Sequence, residues 1–407
     1  MMSIFARHRL TLMNRALWIA ASFLLLCSAL LGNAQQATGE CPFTPIPAPT
    51  GKFPVGTFIM PIQKLHSTGS SRRVQFWYPA QPLEKAELVA YVPDTKTLTA
   101  LRAQKFLDQP DCVFDNWAKL KTAAMDRPKP AHPVKKFPFV IISPGAGMPR
   151  NVYTIYAQQL ASDGFVTATV DYGAYGFLVG GDKLLEEGPK EDSEHNFGIV
   201  AEDWAAHISE LLDEIAGKRA PANNFEHEIA EIIDLNRIAA MGHSLGGEAS
   251  LFACARDSRV HACVDADGAL DGSQLAASGI KSSALVLHSH PLYSDADLAK
   301  RHRTRQEFDK IGKKALADMQ ALFAQPGGDA WVISISGTGH LSFSDAPYTM
   351  PNTISRFGGT IIEPARLFAI VTHLLESYFR YEFDPGQAFR PDEFPELTLQ
   401  VSRTDKK

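Results

Sequence analysis

The chain reads as an α/β protein, a mostly parallel central sheet covered by helices on both faces. Three observations predict this. Short apolar strand patterns alternate with helical patterns from residue 137 to residue 379. Within that series, Arg237-Ile-Ala-Ala-Met241 is a short buried-strand pattern that gives way within one turn to the small and apolar residues of a helix start at Leu245. Finally, 407 residues with 45% hydrophobic and 21% charged side chains fit one large domain carrying insertions.

In chain order, Arg7, Arg9 and Arg15 precede a continuous apolar run over 16–31, and Gly32-Asn33-Ala34 then offers small residues to a peptidase. This is the layout of a secretory signal, expected over 1–34 with cleavage after Ala34 or Ala37. The run is short for an uncleaved span of about 20 residues. Lipid modification of Cys27 is disfavoured, because Leu26 stands where that processing wants a small residue. Export, to the periplasm or out of the cell, leaves Cys41, Cys112, Cys254 and Cys263 in an oxidising compartment. Four cysteines allow three pairings. Cys254 and Cys263 flank a short loop that a bridge could close, and Cys41 with Cys112 would staple the N-terminal arm to the first insertion. Reduced, buried Cys254 and Cys263 are the alternative.

Residues 35–52 are Pro-rich and form an extended arm. The main domain is expected over 53–400. It starts with two antiparallel strands, around 53–60 and 72–79, the second ended by Pro79. Residues 80–135 interrupt the sheet, with a helical pattern over 95–107, the aromatic pair Phe114 and Trp117, and a Pro-rich stretch over 127–133. This insertion is expected either to wall the site or to serve packing alone. A buried strand over 137–142 runs into Ser143-Pro-Gly-Ala-Gly147; a helix follows over 153–162 and a parallel strand over 165–170. Residues 171–198 are Gly-rich and charged, and a loop of that length belongs at an active-site rim. A helix over 199–215 precedes the strand at 237. Later strands are expected over 260–264, 283–288 and 331–335, with a polar amphipathic helix over 301–323 and a closing helix over 365–379. There is no internal repeat.

The chemistry centres on Gly242-His243-Ser244-Leu245-Gly246, which fits G-x-S-x-G, the nucleophile elbow. Such a turn holds the serine in a strained conformation, tolerates little bulk beside it, and aims the positive end of the new helix at the serine oxygen. Ser244 is the expected nucleophile. A net charge of −5 and a pI near 6.2 leave no footprint for nucleic acid. With no Walker-type loop and no spaced Cys/His cluster, neither a metal nor an organic cofactor is expected. A serine hydroxyl needs a histidine to take its proton, and the histidine needs an acid to hold its tautomer. Chain order in elbow-bearing hydrolases is Ser, acid, His. His340, in a Gly-rich loop directly after the last strand, is the expected base. His243 points away from its neighbour, and His288 and His290 come too early. For the acid, Asp267 and Asp265 end the strand after the elbow helix, while Asp295 and Asp297 follow the next strand. Spacing alone does not choose among them.

The chain resembles the plasma-type platelet-activating-factor acetylhydrolases, secreted α/β-hydrolases with bacterial relatives. The resembling residues are Val55-Gly-Thr57, Trp77-Tyr-Pro-Ala80, Ser143-Pro-Gly-Ala-Gly147, Gly242-His-Ser-Leu-Gly-Gly247, Asp267-Gly268 and Gly339-His340 with Phe343-Ser-Asp345. The resemblance implies an α/β-hydrolase fold with Asp267 as the acid and the N–H groups of Ala146 and Leu245 as oxyanion donors. It implies short-acyl, phospholipid-like or other hydrophobic esters as substrates, with peripheral membrane contact. After Val170, where an animal member carries His-x-Asp-like residues, this chain has Asp171-Tyr172. The rival expectations are a general carboxylesterase, lipase or polyester hydrolase, and a non-catalytic binding protein on the same scaffold. A dienelactone hydrolase would want Cys at position 244.

Overall fold

The computed structural model describes residues 41, 44–62, 72–85, 87–132, 134–172, 193–218, 223–268, 270, 275, 279–350 and 362–404. The signal expected over 1–34 and most of the loop expected over 171–198 lie outside the described residues.

One sheet organises them. Its strands are β1 (Val55–Ile62), β2 (Arg72–Pro79), β3 (Leu88–Ala90), β4 (Lys121–Asp126), β5 (Phe137–Ser143), β6 (Val166–Val170), β7 (Ile233–His243), β8 (Val260–Ala266), β9 (Ser283–His290), β10 (Ala330–Ser336) and β11 (Leu397–Arg403). The spatial order is β11-β10-β9-β8-β7-β5-β6-β2-β1-β4-β3. From β6 through β10 every pairing is parallel. Antiparallel pairs β1–β2, β2–β6 and β10–β11 flank that block. Parallel neighbours need helical crossovers, and the crossovers bury both faces of the strands. The run Phe-Pro-Phe-Val-Ile-Ile-Ser of β5 is accordingly buried at every residue.

Helices Thr154–Ser162 and Pro364–Phe383 cover one face, burying Ile155, Tyr156, Leu367, Val371 and Leu374. Helices Ser193–Asp213, Leu245–Arg256 and Arg305–Phe323 cover the other with Trp204, Ile208, Leu251, Met319 and Leu322. Helix Ser193–Asp213 takes residues 193–198 from the stretch expected as loop. The helix expected to begin at 301 begins at Arg305, because Thr304 and Glu307 form a capping box there. Such a cap contributes about 1 kcal/mol.

The insertion adds to the sheet as well as to the core. β4 pairs parallel with β1 at Val55↔Ala124, and β3 pairs with β4. Helices Thr95–Ala103 and Asp111–Lys119 bury Leu101, Phe114 and Trp117 in the same cluster as Ile155 and Leu374. The Trp117 indole donates to the Thr349 carbonyl at 3.4 Å, so the insertion grips the segment that follows His340. Cys41 is bonded to Cys112 and Cys254 to Cys263, with Cα separations of 5.8 and 6.1 Å. Both lie within ordinary disulfide reach. No helix among the described residues is long and apolar enough to cross a membrane.

Candidate active site

β7 delivers His243, and the chain turns at Ser244 (φ 55, ψ −125) straight into helix Leu245–Arg256. Two flanking glycines make the turn possible. A Cβ on Gly242 would lie 2.1 Å from the Gly246 carbonyl oxygen, and one on Gly246 would lie 2.4 Å from the carbonyl oxygens of Ser143 and Pro144. Only a hydrogen fits at either place. Ser244 N–H donates to the Ala266 carbonyl at 2.9 Å, which fixes the turn against the end of β8.

The Ser244 hydroxyl is 3.0 Å from His340 Nε2, and His340 Nδ1 is 2.8 Å from Asp267 Oδ2. Three separate loops at the C-terminal ends of β7, β8 and β10 therefore bring Ser244, Asp267 and His340 together. Asp267, at φ 58, also accepts Ser289 N–H at 2.7 Å through Oδ1 and the Ser289 hydroxyl at 2.9 Å through Oδ2. Burial alone would raise its pKa. The bond and charge of His340, helped by His288 and Ser289 N–H, overcome that and hold the carboxyl well below the usual range. Asp267 is thus ionised with its acceptors in use, and it orients the His340 ring with Nε2 toward Ser244. Sequence reasoning missed Ser289, whose contact exists only because β9 lies beside β8.

The other candidate acids lie elsewhere. Asp265 is fully buried; its Oδ1 accepts Gly268 N–H at 2.7 Å, and burial pushes its carboxyl up to about 8. Asp297, half-buried, belongs to a capping box with Ser294, and Asp295, exposed, pairs with Arg305. His243 turns away from Ser244: Nδ1 meets the Tyr153 hydroxyl and Nε2 meets the His340 carbonyl.

Ala146 follows Gly145, whose Cβ position would lie 3.3 Å from the Ser244 Cβ. Leu245 is the first residue of the elbow helix. Among the described residues, neither of their backbone N–H groups donates a hydrogen bond. The stretch after His340 is pinned by Asp345, which is buried and accepts Thr154 N–H at 3.1 Å and Ile155 N–H at 3.2 Å. A distant carboxyl, pushed up to about 7 by burial, thus satisfies a helix N-terminus that has no side-chain cap of its own. Asp171 and Tyr172 are buried too. Asp171 pairs with Arg150, and Tyr172 stacks on Trp204 at 4.4 Å while meeting Ser143 Oγ at 2.8 Å. Asp171 is thus held by an ion pair and Tyr172 by a ring stack and a hydroxyl contact.

Comparison with known proteins bears on family and fold. Residues 39–174 and 220–380 match the family described as platelet-activating factor acetylhydrolase, isoform II. A Fusarium protein, Hydrolase LUC6, is 32% identical over 146 residues, 35% of this chain and 29% of its own length. The 20-hydroxy-prefusarin hydrolase FUS2 of Gibberella moniliformis is 37% identical over 103 residues, 25% of this chain and 22% of its own. The match therefore spans less than a third of either relative. A ferulic acid esterase from Streptomyces cinnamoneus superposes with a TM-score of 0.67 at 23% identity, over 88% of this chain and 99% of that one. That likeness shows the fold: a mostly parallel open sheet of the α/β-hydrolase kind.

Proposed function

We propose that this chain, which belongs to the platelet-activating factor acetylhydrolase, isoform II, family, is a serine esterase working through an acyl-enzyme. His340 Nε2 takes the proton of Ser244 as Oγ attacks an ester carbonyl. Asp267 holds Nδ1–H, so that Nε2 presents its lone pair, and stabilises the imidazolium that forms. The N–H groups of Ala146 and Leu245 receive the developing oxyanion; in comparable sites one such donor is worth on the order of 3 kcal/mol. His340 then protonates the leaving alcohol, and water cleaves the acyl-enzyme by the same steps in reverse. No step calls for a metal or organic cofactor. The observation that carries the reading is the unbroken chain from Ser244 through His340 to Asp267, at 3.0 and 2.8 Å.

The substrate class we favour is a short-acyl, phospholipid-like ester met at a membrane surface by a secreted or periplasmic enzyme. Family membership and the disulfides Cys41–Cys112 and Cys254–Cys263 support it. A second reading, a carboxylesterase for other hydrophobic esters, has its support in the likeness to the two fungal hydrolases. The test is turnover of short-acyl phospholipids against p-nitrophenyl esters of increasing chain length, with Ser244→Ala alongside. A fluorophosphonate probe is expected to label wild type and to spare Ser244→Ala. Preference for the phospholipid supports the first reading, and preference for simple esters the second. A folded wild-type protein that takes no probe would leave a binding protein on a hydrolase scaffold.

A further inference from the structure

Four polar groups behind the nucleophile form a second chain of hydrogen bonds that the mechanism above does not use. Gly145 N–H lies 2.8 Å from the Tyr153 hydroxyl oxygen. That oxygen lies 2.9 Å from His243 Nδ1, and His243 Nε2 lies 2.7 Å from the His340 carbonyl oxygen. Geometry fixes the direction of every bond. A carbonyl oxygen only accepts, so Nε2 carries the His243 proton. Burial, together with the charge His340 takes on, lowers the His243 pKa to about 3, so the ring is neutral and Nδ1 is a bare acceptor. Tyr153 must then donate to Nδ1. Burial raises the Tyr153 pKa, so the phenol keeps the proton it donates. Its oxygen is left to accept from Gly145, a backbone donor that has no alternative. Each proton has one place.

The ends of this chain matter more than its middle. Gly145 immediately precedes Ala146, and His340 is the residue that faces Ser244. The His243 and His340 rings stand 4.7 Å apart, and Tyr153 and His243 are buried. A Cβ on Gly145 would come within 3.1 Å of His243 Nδ1, so the loop packs directly on that ring. We propose that Tyr153 and His243 are positioning residues, which hold the Ala146 N–H and the His340 ring in register with Ser244. The proposal rests on the esterase reading above and adds to it the device that keeps two separate loops in step. Keeping His243 neutral is part of the device, because a cation there would repel the imidazolium that His340 becomes.

The test separates this role from a merely structural one by counting working sites. Wild type, Tyr153→Phe, His243→Leu and His243→Gln are titrated with a fluorophosphonate, and kcat is expressed per labelled site on a p-nitrophenyl ester. Tyr153→Phe strands Gly145 N–H and His243 Nδ1 while keeping the ring volume. It is expected to lower kcat about 10- to 100-fold, the scale of a small misplacement of reacting groups, with KM changed less than threefold. His243→Leu is expected to match or exceed that loss. His243→Gln, whose amide reaches the His340 carbonyl, is expected to recover much of it. The double variant Tyr153→Phe/His243→Leu is expected to be no worse than His243→Leu alone, because both act through one chain. If wild type labels but Tyr153→Phe turns over within twofold of it per labelled site, or if the two losses multiply, the positioning role is refuted and the esterase reading stands. A variant that loses sites while keeping kcat per site also refutes it, since that is the signature of folding alone. Wild-type protein that is folded yet unlabelled refutes the esterase reading and the positioning role with it.

Discussion

Replacing Asp267 by Asn exchanges one carboxylate oxygen for an NH₂ group, and the surroundings dictate where that group must lie. Ser289 N–H sits 2.7 Å from Oδ1 and, being a backbone donor, cannot turn into an acceptor. The new amide NH₂ therefore cannot take that place and must occupy the position of Oδ2, facing His340 Nδ1 and the Ser289 hydroxyl. The hydroxyl can rotate to accept. His340 can accept only by moving its proton from Nδ1 to Nε2, which then donates to Ser244 Oγ and can no longer receive from it. The variant is thus trapped in the wrong tautomer, a defect worth ~10⁴-fold in kcat in other triads, or about 5.4 kcal/mol of barrier. Loss of the charge-assisted bonds is expected to lower stability by only about 1–3 kcal/mol. The assay is kcat on a p-nitrophenyl ester at matched folded fraction, monitored by circular dichroism. Asp295→Asn and Asp297→Asn serve as controls, and both are expected to leave kcat unchanged. If Asp267→Asn keeps turnover within tenfold of wild type while either control abolishes it, the assignment of the acid is wrong.

Asp265 offers a contrast between neighbours. Its carboxyl is raised from an ordinary 3.8 to about 8, by burial first and then by the charge of Asp267, against the pull of Gly268 N–H. The folded state therefore keeps a proton that the unfolded chain releases. The stability this gives is complete below pH 3.8 and is lost as pH rises toward 8. Asp265→Asn, neutral throughout, is expected to remove that decline, so that Tm of the variant gains on wild type between pH 5 and 8; a pH-independent difference would refute the assignment. The disulfides are expected to contribute unequally. Sequence separations of 71 and 9 residues give about 4 kcal/mol for Cys41–Cys112 and about 3 kcal/mol for Cys254–Cys263 on the chain-entropy account. Denaturant titration of the two Ser/Ser double variants tests that order, and four free thiols in protein from an oxidising compartment would refute both bridges.

The parts of this molecule that were legible in its sequence are the locally determined ones. The elbow needs Gly242 and Gly246 within a few residues of Ser244, so a short motif carries it whole. The apolar strands from β5 to β10 announce themselves because both their faces are buried. The acid was not legible from spacing. Asp267 and Asp297 both lie beyond strand ends, and the contact that distinguishes them, Asp267 Oδ2 to His340 Nδ1, leaves no local signal in the sequence; resemblance supplied the choice. Ser289 and Tyr153 gave no signal at all, since their contacts depend on strand register and on how one loop packs against another. β4 was hidden because Lys-Thr-Ala-Ala-Met-Asp has little strand propensity, and pairing with β1 overrides it. β11 was hidden because its residues are only partly buried on a sheet edge. In the long loop, helix Ser193–Asp213 begins earlier than the apolar periodicity does.

The backbone at Ser244 has φ 55, and at Asp267 φ 58. Left-handed conformations cost an L-residue roughly 1–2 kcal/mol each, a cost that glycine escapes. At position 244 in particular, glycine would relieve the strain and give up only the small CH₂OH side chain. On the proposed mechanism, thermal robustness and turnover therefore pull in opposite directions at Ser244. A library of this protein sorted for survival of heating alone would fill with sturdy, inert variants. Sorting has to read product, because the fold by itself has no reason to keep the serine.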